Sequence, residues 1–276
     1  MGHQVPPRIP LPLRQRLAGL ARPVAPMRRG DITLGLAELD DWLGGGLARG
    51  GLHEVFATGQ ADVAAAMGFA ALLALRAARQ RRILWVRQDF LDGQTGRLHP
   101  PGLAGLGLNP ALVVLVRAGD VLGVLRAAGE AARCNGLGAV LVEPWGEAPL
   151  LDHSTSRRLS LAAEGSGVPV LMLRVAATPT ASAAASRWLV GALPSRPLAA
   201  NAPGPPAFAA TLLRHRGGAA GATWHLEWNH EQQRFQAHDT TPLPRAVVPV
   251  PAGRPAGLDQ KGREWAGGWS ADRRAG

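Results

Sequence analysis

The chain has 276 residues, of which 46% are hydrophobic and 18% charged, with 35 Gly, 23 Pro and a formal net charge of +10. That length supports one substantial core with irregular ends and leaves little room for two full domains. A single cysteine, Cys134, excludes an internal disulfide, no Cys/His spacing suits a zinc site, and no apolar run near the start reaches spanning length.

The expectation is therefore a soluble, cytoplasmic protein with Cys134 in its core. In chain order, residues 1–30 form a basic arm with six arginines (Arg8, Arg14, Arg16, Arg22, Arg28, Arg29) and no acid. Within it Leu13, Leu17 and Leu20 share a helical face that can pack as an arm or dock on a partner. From Asp31 strand-length apolar runs alternate with Ala-rich helical segments, the mark of βαβ units and a largely parallel sheet. Strands are predicted at Leu52–Phe56, Ile83–Val86, Leu112–Val116, Ala139–Glu143 and Val168–Arg174. Helices are predicted at Ala61–Gln80, Val121–Cys134 and His153–Glu164, and right-handed crossovers place them on the faces of the sheet. After them come shorter antiparallel strands at Arg187–Val190, Ala209–Arg214 and Thr223–Glu227, with Pro194–Pro206 as a loop.

Charge follows its own pattern. Between Gly165 and Leu226 there is no acid but five arginines: Arg174, Arg187, Arg196, Arg214 and Arg216. Such a stretch favours a polyanion, because each neutralised phosphate releases counterions; a solvated surface is the plainer alternative. The core is expected over residues 31–236. From 237 to 276 five prolines forbid a long helix, and Trp265 and Trp269 stand beside Arg263, Arg273 and Arg274. Aromatics in a segment too polar to bury them suit partner anchoring, against the simpler reading of a disordered end.

A strand, a tight turn and a helix are where a phosphate-binding loop belongs. Here the turn reads Ala57-Thr58-Gly59-Gln60-Ala61-Asp62-Val63-Ala64. A working loop, G-x-x-x-x-G-K-[ST], needs glycines so that backbone amides can close on phosphate, a lysine for charge and a hydroxyl for magnesium. In register, Ala57 and Asp62 replace the glycines, Val63 the lysine and Ala64 the hydroxyl residue. Asp62 adds a negative charge where phosphate would sit, so it is expected to occupy the anion site itself. No cofactor, metal or catalytic residue is expected. Asp89 and Glu143 stand where an NTPase keeps a water-activating and a magnesium-holding acid, and are expected to be loop or cap residues.

The stretch Gly35-Leu36-Ala37-Glu38-Leu39-Asp40-Asp41-Trp42-Leu43-Gly44-Gly45-Gly46-Leu47, followed by Gly51-Leu52-His53-Glu54-Val55, resembles the approach to the nucleotide site in RecA recombinases. The likeness runs over about residues 31–236 and includes Leu212-Leu213-Arg214-His215-Arg216 late in the chain. Together with the erased loop, the basic arm and the Trp-bearing tail, it is similar to the ImuA family. That resemblance implies an α/β, RecA-like fold: a mostly parallel sheet, helices on both faces, antiparallel late strands and a degenerate nucleotide loop. It implies a non-catalytic accessory role in SOS-induced, error-prone translesion DNA synthesis, with an ImuB-type Y-family-like protein and a DnaE-type polymerase as partners. RecA and DNA are further candidate partners, and no membrane is implied. It also makes Arg187, Arg214 and Arg216 candidate DNA or subunit-interface contacts, and Trp265, Trp269 and Arg263 candidate partner contacts. A SulA-like cell-division inhibitor and a diverged RecA-type DNA-dependent ATPase stay open as alternatives.

Overall fold

The computed structural model describes residues 31–238; the arm and the candidate partner contacts Arg263, Trp265 and Trp269 lie outside the described residues. Among these residues nine strands form one sheet: β1 (Leu52–Ala57), β2 (Ile83–Gln88), β3 (Val113–Ala118), β4 (Ala139–Glu143), β5 (Val170–Arg174), β6 (Ser186–Leu193), β7 (Ala207–His215), β8 (Thr223–Asn229) and β9 (Arg234–Ala237). Their spatial order is β3-β2-β4-β5-β1-β6-β7-β8-β9. β1 to β6 run parallel, and β6 to β9 continue as an antiparallel meander.

Among the described residues six α-helices accompany it: α1 (Ala37–Trp42), α2 (Val63–Ala78), α3 (Leu91–Gln94), α4 (Pro100–Gly105), α5 (Val121–Ala132) and α6 (His153–Ser166). α2 covers one face, where Phe69 meets the rings of Trp188, Phe208 and Phe235. α5 and α6 cover the other, over Leu52, Val86, Val142 and Met172. The stretch Gln60–Ala78, α2 with the 3-10 turn before it, is long and apolar enough to cross a membrane, but the same composition serves a helix pressed onto a sheet, and ten residues of α2 are buried.

The glycine-rich approach has a physical reason. Asp40, on α1, accepts the amides of Leu34 and Gly35 at 2.6 and 2.9 Å, tying the entering chain to the helix. Gly44, Gly45 and Gly46 then reverse the chain with φ of 71°, 112° and 122°. A Cβ at Gly46 would lie 2.5 Å from the Ile32 carbonyl oxygen, so only glycine lets Leu47 bridge back to Ile32.

Boundaries moved where turn chemistry competes with apolar pattern. Asn109 caps a 3-10 turn over Pro110–Leu112, so β3 starts at Val113 instead of Leu112. The long helix begins at Val63, because Gln60–Asp62 form a separate 3-10 turn, and it ends on Arg79 in a left-handed conformation at φ 46°. Two expectations fail. Cys134 is exposed, since α5 stops at Ala132 and Cys134 falls in the following turn. The fold also continues past residue 236: β9 pairs with β8, and His238 contacts Glu227 at 3.2 Å.

Candidate functional site

The turn between β1 and α2 sits at the carboxyl end of the parallel strands, where such sheets bind ligands. Three of its amides, those of Thr58, Asp62 and Val63, donate to the carbonyls of Val190, Gly59 and Gln60. Val63 is buried in the core beneath α2, while Ala64 is exposed. A lysine in place of Val63 would have to leave that core to reach a phosphate.

Asp62 is turned differently from the expectation. It makes no capping bond to the helix it opens; one carboxylate oxygen accepts the Ala192 amide at 2.8 Å and the other accepts the Thr58 hydroxyl. Those two bonds hold its carboxyl below the ordinary carboxylate range. The carboxylate thus latches the turn to the end of β6 and leaves its charge at the helix mouth.

Glu143 is neither a loop nor a cap residue, which corrects the expectation. It ends β4 opposite Arg87 of β2 in direct register, and both side chains are 1% exposed. Arg87 Nε lies 2.9 Å from Glu143 Oε2, and its Nη1 lies 3.4 Å from Asp92. The guanidinium also donates to the Thr95 hydroxyl and the Gly96 carbonyl. Burial pushes the Glu143 carboxyl up, and Arg87 opposes that shift. A fixed cation therefore neutralises the acid at the position where an NTPase would use magnesium. Sequence reasoning missed Arg87; a charge inside the apolar run Ile83–Gln88, level with an acid ending the next parallel strand, was the available signal. Asp89 is an exposed loop residue whose carboxylate lies 4.0 Å from Arg117. Among the described residues no group of three His, Cys, Asp or Glu could hold a metal ion.

The three candidate arginines gather at the opposite end of the sheet, where Ser186 pairs with His215 and Arg187 with Arg214. Arg187 is committed inward, contrary to its candidacy as a macromolecular contact. Its Nε donates to Glu54 Oε2 at 2.9 Å and its Nη2 to Ser182 Oγ at 2.8 Å. Arg174 approaches the same carboxylate at 3.7 Å, and both guanidiniums lie over the Phe56 ring. Arg214 and Arg216 are exposed, and each ties down the segment entering β6, donating to the carbonyls of Ser182 and Ala183 at 2.7 and 2.8 Å. Arg216 also lies 3.3 Å from Glu164.

Beside them His53 is fully buried on β1. Its Nε2 can only donate to the Ala48 carbonyl, so Nδ1 accepts the Ser186 hydroxyl, both at 2.8 Å; the Trp188 indole in turn donates to Ser186 Oγ. Burial lowers its pKa from 6.5 to about 4.

Comparison with known proteins adds two findings. The chain is 34% identical over 199 residues to "Protein ImuA" of two Caulobacter vibrioides strains, an alignment covering 67% of this chain and 77% of each relative. The crystal structure of the RadB recombinase matches 75% of this chain and all of its own with a TM-score of 0.51 at 18% identity, a likeness of fold that makes the sheet RecA-like. No family model matches the chain.

Proposed function

The chain belongs to the ImuA family, and from that premise we propose that it is a non-catalytic accessory protein of damage-induced, error-prone translesion DNA synthesis. The observation that carries this reading is the state of the β1–α2 turn. Val63 packs into the core and Asp62, bonded to the Ala192 amide, keeps a negative charge at the turn, so a triphosphate meets a carboxylate and no lysine. The Arg87–Glu143 pair supports the same reading, because the acid that could hold magnesium already has its counter-ion. Both count against a diverged ATPase. The role left for this scaffold is contact with other macromolecules in the cytoplasm: an ImuB-type Y-family-like protein, and through it a DnaE-type polymerase.

We assign the partner contact to the segment bearing Arg263, Trp265 and Trp269. Because β9 and His238 belong to the sheet, the truncation that tests this starts at Thr241. Removing residues 241–276 is expected to abolish capture of an ImuB-type partner in a pull-down while the melting temperature of the core stays unchanged. Capture that survives the truncation contradicts the assignment.

DNA contact is proposed for the exposed pair Arg214 and Arg216. Changing both to Ala should weaken single-stranded DNA binding about tenfold and flatten its dependence on salt, read by fluorescence anisotropy. Binding that ignores salt in the parent protein would rule this out.

A further inference from the structure

The face of the sheet covered by α5 and α6 carries a second, unassigned feature. Between the two helices runs a groove of about 470 Å³. Its floor is the buried pair Leu125 and Leu159, and the apolar strip continues outward to Leu122 and Leu150, which are 39% and 54% exposed. Arg126, Arg133 and Arg158 edge it against a single acid, Glu130, which is spent on Arg133 at 3.1 Å. α5 lines this groove with positions 122, 125, 126, 129 and 130, and Arg133, just past its last residue, continues the stripe. In that stripe stands Gly129, a costly residue inside a helix. A Cβ there would meet only the tip of Arg133, 3.9 Å away, so the own fold does not require the glycine. A bare backbone on the floor of an apolar groove gives a second helix room to come close.

We propose that this groove docks an acidic amphipathic helix of a partner protein, its apolar side on the leucines and its carboxylates on the arginines. Charge selects the occupant. Residues 1–30 hold six arginines and no acid, and residues 241–276 hold six basic side chains against three acidic ones, so neither terminus of the chain suits an arginine-edged groove. A second copy would bring the same arginines face to face. The surface is distinct from the tail, and the inference stands apart from the assignment made there.

The probe is a synthetic, fluorescently labelled helix of about 20 residues with Leu at i, i+3, i+4 and i+7 spacing and Glu elsewhere, titrated into the full chain. A scrambled peptide of the same composition and a single-stranded DNA 30-mer serve as controls. Binding on the order of micromolar is expected, falling about tenfold for the scrambled peptide and for R126E/R158E. Gly129→Leu, which fills the groove and favours the helix, should block binding without lowering the melting temperature. Hydrogen exchange should slow in α5 and α6 on peptide addition. Equal binding of the scrambled peptide, undiminished binding to Gly129→Leu, or protection elsewhere would overturn the proposal. So would DNA displacing the peptide with the same loss in R126E/R158E, since the groove would then be a phosphate track.

Discussion

Arg87→Met is expected to destabilise the fold by about 3–5 kcal/mol, and R87M/E143L to recover most of that loss. The cause is electrostatic. Arg87 and Glu143 are both 1% exposed, so removing the cation leaves a carboxylate in a medium that solvates it poorly. Removing both charges abolishes the desolvation cost along with the attraction. Asp92 does not spoil the cycle, because it keeps Arg117 and Arg97 as partners once Arg87 is gone. The single variant should also respond to pH. Burial already raises the Glu143 carboxyl from 4.5; without Arg87 it rises further, the folded state takes up the proton, and the deficit shrinks as pH falls. Denaturant titrations of the parent, both single variants and the double at two pH values check this. A double variant no more stable than Arg87→Met would mean that the pair contributes net stability.

The second large effect belongs to His53. Its folded pKa is about 4 against 6.5 unfolded. A base with a depressed folded pKa gives stability that is fully present above pH 6.5 and is lost as pH falls towards the folded value. Relative to the high-pH plateau the loss amounts to about 2 kcal/mol at pH 5 and roughly 3 kcal/mol at pH 4. His215 is depressed in the same direction by burial and adds to the slope, whereas the raised carboxyls of Asp40 and Glu143 act in the opposite sense. The comparison that isolates His53 is therefore with His53→Gln, which can still donate to the Ala48 carbonyl. Its stability should fall less steeply between pH 6.5 and pH 5 than the parent's; parallel slopes would mean that His53 does not titrate with unfolding.

The alternation of strands and helices was legible because both faces of a parallel sheet are covered, which leaves near-continuous apolar runs with turn residues between them. The turn at residues 57–64 was legible because its chemistry is local: a missing lysine is visible in one dimension. What the pattern hid was long-range. Glu54 and Arg187 are 133 residues apart and become neighbours only when β6 lies beside β1, so Arg187 read as an external contact. β9 is four residues long, too short to show a period, and gains its identity from pairing with β8. Asp62 was read as a plug for the anion site; the Ala192 amide that turns it aside lies 130 residues downstream.

Exclusion of nucleotide from the turn ahead of α2 is the central claim. Isothermal titration of the full chain with ATP and excess magnesium tests it directly. No binding heat at millimolar nucleotide is the expected result, and no displacement of a fluorescent ATP analogue. Saturable heat with a dissociation constant in the micromolar range would contradict it.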